Sequence, residues 1–486
     1  MRRLLISFML CIAFTATSFA QQYQPNWESL DTRKIPAWFN QSKFGIFIHW
    51  GLYSVPAYSP VGEYAEWYWN RLKEPGNNPA HISTDSFHSK NYGKDYPYEN
   101  FAPQFKAELF NPDQWANIFK RSGAKYVVLT SKHHEGFALW PSAEADKNWG
   151  RPWNSVTAGP HRDLLGDLTQ SVRDAGLKMG IYYSLYEWYN PIYLADKKRY
   201  VTEHFFPQFK DVVTRYKPSV IFADGEWDLS DTAWRSPELL AWLFNESPVA
   251  KEVAVDDRWG GNIRSTHKAV YYTSEYGSGM DKSVVWEESR GIGYSYGFNR
   301  MENIDDYRTS HDLIIALCDI VSRGGNLLLD IGPAADGTIP VIMQQRLLDI
   351  GNWLHINGEA IYETTGWKKD RQWSTGSLPE VKSAAYRAEY DVSKLSQPQK
   401  DGKANIELFF TQKDKDLYAI VTNYKTSLLV KDISALPNTV ITHVGSNKKI
   451  NYTKVPEGLL LDLSNLTPSD IKQEIFTLKI TNAGIK

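Results

Sequence analysis

Up to about residue 360, short apolar runs ending in a polar residue alternate with amphipathic stretches. The clearest run is SVIFADGEWD at 219–228, where Val220, Ile221, Phe222 and Ala223 lead without polar alternation into Asp224 and Gly225. Such a run suits a strand buried on both faces, as in a parallel sheet. KFGIFIHWG at 43–51 ends in His49, YVVLT at 126–130 enters SKHHEGF, and 179–185 carries Tyr182. Runs at 252–256 and 269–273 lead into Asp257-Arg258 and Ser274-Glu275, and NLLLD occupies 326–330. Helical spacing marks 112–121, 163–175, 205–216, 305–322 and 341–356. This alternation predicts βα units around a parallel sheet. Polar residues at successive strand ends favour a closed (β/α)8-like TIM barrel over an open doubly wound sheet. Residues 52–106, rich in Tyr, Pro, Asn and Gly, read as one long functional loop carrying Glu66 and Trp67.

Beyond 362 the texture changes. Short alternating runs at 406–410, 417–422, 428–433, 439–444, 458–463 and 474–480 are separated by Gly, Pro, Asn and Asp. They predict a C-terminal antiparallel β-sandwich, with packing favoured over auxiliary carbohydrate contact as its role. At the other end, Arg2 and Arg3, the apolar stretch 4–14 and Ser18-Phe19-Ala20 have the layout of a secretory signal peptide. The apolar part is too short to span a bilayer, and Leu10 before Cys11 makes a poor lipoprotein box, so the chain is read as exported, periplasmic or secreted, and not anchored. The expected division is signal peptide 1–20, catalytic barrel 21–362 and sandwich 363–486. After cleavage Cys318 is the one cysteine left, so no internal disulfide forms. It shares a helical stripe with Ile314, Leu317 and Val321 and reads as a buried thiol.

A formal net charge of −2 gives no electrostatic case for nucleic acid or anionic membrane as a partner. Neither GxGxxG nor GxxxxGK[ST] occurs, which weakens nucleotide-binding readings. The strand ends and the long loop together present His49, His133, His134, Tyr182, Asp224, Arg258, Glu275, Glu66 and Trp67. Two acids flanked by imidazoles, an indole and a guanidinium suit glycoside hydrolysis, which needs one carboxylate as nucleophile or base and one carboxyl as proton donor. The rival is a metal site, since His49, His133, His134 and Asp224 are possible zinc ligands, though HExxH spacing is absent. Adjacent His133 and His134 on a strand would also point to opposite faces unless the backbone turns.

Long stretches then resemble one family. WFNQSKFGIFIHWGLYSVPAY, AEWY, FAPQFKAELFNPDQWA, SGAKYVVLTSKHHEGFALW, GIYYSLYEW, FADGEW, DDRWG, SRGGNLLLDIGP and WLHINGEAIY are similar to family 29 of the glycoside hydrolases, the α-L-fucosidases. The resemblance implies a barrel with a C-terminal β-sandwich, a retaining mechanism, no metal or other cofactor, and fucosylated glycans as substrates. It implies Asp224 as nucleophile and His49, Glu66, Trp67, His133, His134, Tyr182 and Arg258 as the sugar pocket. Tyr296 in SYGFNR, with Trp227 behind it, is the expected surface for the sugar methyl. The proton donor is assigned to Glu275, with Glu287 and Glu288 of VVWEESRG as alternatives on a loop. HHEGFALW and DDRWG resemble the branch of the family with relaxed leaving-group tolerance. Other readings are a retaining glycosidase of different sugar specificity and a catalytically silent, lectin-like fucose binder.

Overall fold

In the computed structural model of the chain, the described residues are 22–380, 390–400, 402–471 and 474–485; residues 1–20, expected to be a signal peptide, lie outside them. Eight parallel strands form one sheet: β1 (Phe44–Ile48), β2 (Tyr126–Lys132), β3 (Lys178–Ser184), β4 (Val220–Asp224), β5 (Ala254–Val255), β6 (Tyr272–Glu275), β7 (Trp286–Gly291) and β8 (Asn326–Ile331). Their order is β5-β4-β3-β2-β1-β8-β7-β6. The two edges meet through a parallel bridge between Asp256 and Tyr271, where Tyr271 N donates to Val255 O at 2.9 Å. This is a TIM-like barrel. Strands β1, β2, β4 and β8 are buried along their whole length, which is why they read as unbroken apolar runs. Rings fill the interior, among them Phe47, Tyr126, Tyr182, Phe222 and Tyr271. Gly45 makes room for one of them, because a Cβ there would lie 2.4 Å from the Tyr126 ring.

Three expectations need correction. Residues 52–106 are not one loop: they contain helices Tyr68–Lys73 and Pro79–Asn91 and several 3-10 turns. The second helix lacks a clear apolar stripe in sequence and is held by particular contacts instead. Tyr68 Oη pairs with His88 Nδ1 at 2.8 Å, and Phe87 stacks on Tyr58 at 3.8 Å. The connections 256–271 and 276–285 carry no helix, so the βα alternation lapses around β5, β6 and β7. The segment holding Glu287 and Glu288 is barrel strand β7, not a loop.

The C-terminal part is the expected pair of antiparallel sheets. β9 (Thr365–Trp373), β10 (Ile406–Lys413), β11 (Asp416–Val421), β13 (Ile433–His443) and β16 (Phe476–Ile485) order as β13-β16-β11-β10-β9. β12 (Ser427–Lys431), β14 (Asn451–Val455) and β15 (Gly458–Asp462) order as β12-β15-β14. The run read as continuous over 428–433 breaks between β12 and β13 at Asp432, whose φ is 61°. Polar β9 and β14 gave no strand signal. The sandwich has its own apolar core and docks on the last barrel helix, Val341–Asn357, where Trp353 Nε1 donates to Ile475 O at 2.8 Å. Cys318 is a buried free thiol. Among the described residues no helix is long and apolar enough to cross a membrane.

Candidate active site

The C-terminal strand ends surround a cavity of about 850 Å³. Its lining includes His49, Glu66, Trp67, His133, His134, Tyr182, Asp224, Trp227, Arg258, Glu275 and Tyr296. Each arrives by a local rule. His49 and Asp224 stand at the ends of β1 and β4, and Gly225 turns the chain away at once with φ 71°. A side chain at 225 would meet the Tyr186 ring at 2.3 Å. His133 and His134 share the cavity because the chain turns immediately after β2, and their rings lie 4.1 Å apart. Glu66 and Trp67 come from a 3-10 turn, where Glu66 accepts from Gly297 N at 2.8 Å. Trp227 is 44% exposed and stands at the mouth.

Arg258 organises the acids. Its Nη1 donates to Asp224 Oδ1 at 2.9 Å, its Nη2 donates to Glu275 Oε1, and its Nε donates to Thr273 Oγ1 at 3.1 Å. Tyr182 Oη donates to Asp224 Oδ2 at 2.8 Å. Burial alone would raise the Asp224 carboxyl, but the Arg258 guanidinium foremost, with the Tyr182 hydroxyl, outweighs it and holds it below the usual carboxylate range. Asp224 is therefore an ionised carboxylate at neutral pH. Glu275 Oε2 carries no hydrogen bond among the described residues.

The His49 and His134 imidazoles are neutral hydrogen-bonding groups. Burial foremost, then the neighbouring His133, hold His49 and His134 well below the ordinary histidine range. His49 Nδ1 lies 2.6 Å from Asp330 Oδ1 of β8, and His134 Nδ1 lies 2.6 Å from Ser184 Oγ of β3. Among the described residues no group of three or more His, Cys, Asp and Glu side chains could hold a metal ion.

Behind the two histidines, Glu187 is fully buried and accepts from Lys132 Nζ at 2.8 Å, Trp149 Nε1 at 2.8 Å and Asn190 Nδ2 at 2.7 Å, with His204 Nε2 at 2.6 Å. Burial would raise its carboxyl, yet His204 and Lys132 pull it below the usual range. Removing the carboxylate strands a buried ammonium. Glu187→Ala should therefore destabilise the fold by about 3–5 kcal/mol, seen as a lower melting temperature and urea midpoint. An unchanged melting temperature would contradict this.

Glu287 and Glu288 do not line the cavity. In the β6–β7 register Glu275 is level with Ser289, and Glu287 lies one layer deeper, beside Thr273. Tyr126 Oη donates to Glu287 inside the barrel, and burial pushes that carboxyl up to about 8. Glu288 faces the other way and accepts from Arg290 and from Gly277 N. The cavity also contains residues that the sequence reading passed over, including Phe47, Phe222, Glu226, Arg264 and Ser289. Phe47 and Phe222 precede His49 and Asp224 by two positions, so strand alternation alone would have placed them on the same face. For Glu226 and Arg264 no such signal exists.

A barrel with carboxylates, neutral imidazoles and aromatic rings at its strand ends has the equipment of a glycoside hydrolase. A family model described as Alpha-L-fucosidase matches residues 10–359. The chain is 45% identical over 377 residues to an α-L-fucosidase of Dictyostelium discoideum, covering 76% of this chain and 80% of that one. It is 39% identical over 479 residues to human tissue α-L-fucosidase, covering 96% and 93%. The crystal structure of Thermotoga maritima α-fucosidase with a mechanism-based inhibitor superposes with a TM-score of 0.75 at 33% identity, covering 95% of this chain and all of that one. The chain belongs to the α-L-fucosidase family of glycoside hydrolases.

Proposed function

We propose that the protein is an exported retaining α-L-fucosidase that removes terminal α-L-fucosyl groups from glycans through a covalent intermediate on Asp224, with Glu275 as acid and base. The observation that carries this reading is Arg258, one guanidinium holding both carboxylates on its two terminal nitrogens. That arrangement favours the close spacing of double-displacement enzymes, about 5 Å between carboxyls, over the roughly 6.5–9.5 Å that leaves room for a water. Asp224 attacks the anomeric carbon as the bond to the leaving oxygen breaks, and Glu275 gives that oxygen its proton. Glu275 then takes a proton from water, water attacks the same carbon, and Asp224 departs. Two inversions return the α configuration. Export rests on the N-terminal pattern, and the mature chain should begin at Gln21.

A panel of aryl glycosides tests the assignment. Turnover of the α-L-fucoside is expected; hydrolysis of other glycosides without it, or fucose binding with no turnover, would sink it. The buried rings of Phe47, Phe222 and Tyr296 offer an apolar wall for the C6 methyl. Such a wall rejects an added hydroxyl modestly, so kcat/KM should favour the L-fucoside over the L-galactoside by up to ~100-fold. Equal values would show that no ring meets the methyl.

A further inference from the structure

We infer that Ser184 is a positioning residue that fixes the His134 imidazole as its Nδ1–H tautomer, so that a bare Nε2 faces Asp224. Ser184 ends β3 and pairs with Asp224 in the β3–β4 register, so it stands in the layer of that carboxylate. It is fully buried and has two close polar neighbours: Tyr186 O at 2.7 Å and His134 Nδ1 at 2.6 Å. A carbonyl oxygen can only accept, so the single hydroxyl proton of Ser184 goes to Tyr186. The short contact to His134 then needs a proton on Nδ1, with Ser184 Oγ accepting it. Because burial keeps this imidazole neutral, its other nitrogen carries a lone pair.

Among the described residues that lone pair has no donor of its own. Nε2 lies 3.5 Å from Asp224 Oδ2 and 3.4 Å from Tyr182 Oη. The Tyr182 proton is already given to Asp224 at 2.8 Å. Asp224 is thus held by Arg258 and Tyr182, and the tautomer withholds a third donor from it. Each hydrogen bond to a carboxylate stabilises its ionised form and is lost when the oxygen becomes an ester. Withholding one keeps Asp224 more nucleophilic. A buried partner that sets a tautomer is a recognised way to hold an imidazole in its working role. Without the Ser184 hydroxyl, the ring is free to carry its proton on Nε2 and donate to Asp224. The kinetic consequence rests on the reading of Asp224 as nucleophile; the tautomer does not.

Neutron diffraction from crystals of the deuterated wild-type enzyme reads the tautomer directly. Nuclear density for a deuteron is expected on Nδ1 of His134 and none on Nε2; a deuteron on Nε2 would overturn the inference. Stopped-flow kinetics with an activated aryl fucoside test the role. Ser184→Ala should slow fucosylation of the enzyme roughly 10–100-fold while leaving defucosylation unslowed. A general loss of packing would slow both steps alike, and an unchanged fucosylation rate would remove Ser184 from the mechanism. Should Ser184→Ala fail to fold, the wild-type neutron result still decides. A covalent adduct on some carboxylate other than Asp224 would defeat the nucleophile assignment while leaving the deuteron on Nδ1.

Discussion

Asp224→Gly should lose on the order of 10³–10⁵-fold in turnover of an aryl α-L-fucoside while keeping its melting temperature close to that of the wild type. The expectation follows from the local chemistry. The carboxylate is kept ionised by Arg258 and Tyr182, and no other acid at the strand ends shares both contacts. Azide should restore part of the lost turnover in this variant, because a small anion can enter the space left by the side chain and attack the anomeric carbon. A single displacement on the α-fucoside gives the β-fucosyl azide, an inverted product. Near-normal activity of Asp224→Asn, or a rescued product of retained configuration, would take Asp224 out of the attacking role.

Glu275→Gln should behave differently according to the leaving group. A general acid matters most when the departing oxygen is a poor leaving group, since a good one departs unprotonated. Alkyl fucosides and natural glycans should therefore lose roughly 10²–10⁴-fold in kcat/KM, and an activated aryl fucoside far less. The same side chain serves as base for water, so the variant should accumulate fucosyl-enzyme with activated substrates and be rescued by azide with retained configuration. Glu287→Gln and Glu288→Gln provide the control. Glu287 lies inside the barrel with Tyr126, and Glu288 is held by Arg290 on the opposite face of β7, so neither meets the leaving oxygen. Both should alter stability and leave the dependence on leaving group as in the wild type. If Glu275→Gln hydrolyses an alkyl fucoside at the wild-type rate while Glu287→Gln or Glu288→Gln does not, the acid belongs to β7.

What could be read from the chain, and what could not, divides along physical lines. VIFAD and NLLLD announce themselves because a parallel strand covered on both faces has no reason to be polar. WEESRG hides its strand for the opposite reason. Its carboxylates are buried with Tyr126 and Arg290 as partners, and only tertiary structure supplies those partners. Pro79–Asn91 hides a helix because it is held by Tyr68 and Tyr58 and has little apolar face of its own. At the site, His49 and Asp224 are visible as polar ends of apolar runs. Glu66 and Trp67 are legible only as part of an unusually long connection, and for Tyr296 the sequence signal is family resemblance. The convergence of His133 with His134 depends on a backbone turn that alternation along a strand would argue against.

The central claim is that catalysis passes through a covalent bond to Asp224. A 2-deoxy-2-fluoro-α-L-fucosyl fluoride should form the glycosyl-enzyme quickly, because its leaving group is good. It should release it slowly, because the fluorine destabilises the oxocarbenium-like transition state. Intact-mass spectrometry of the treated protein, followed by peptide mapping, should show one deoxyfluorofucosyl group per chain, attached to the peptide carrying FADGEW and localised to Asp224. Turnover with no adduct at any time, or an adduct on a carboxylate other than Asp224, would contradict the account.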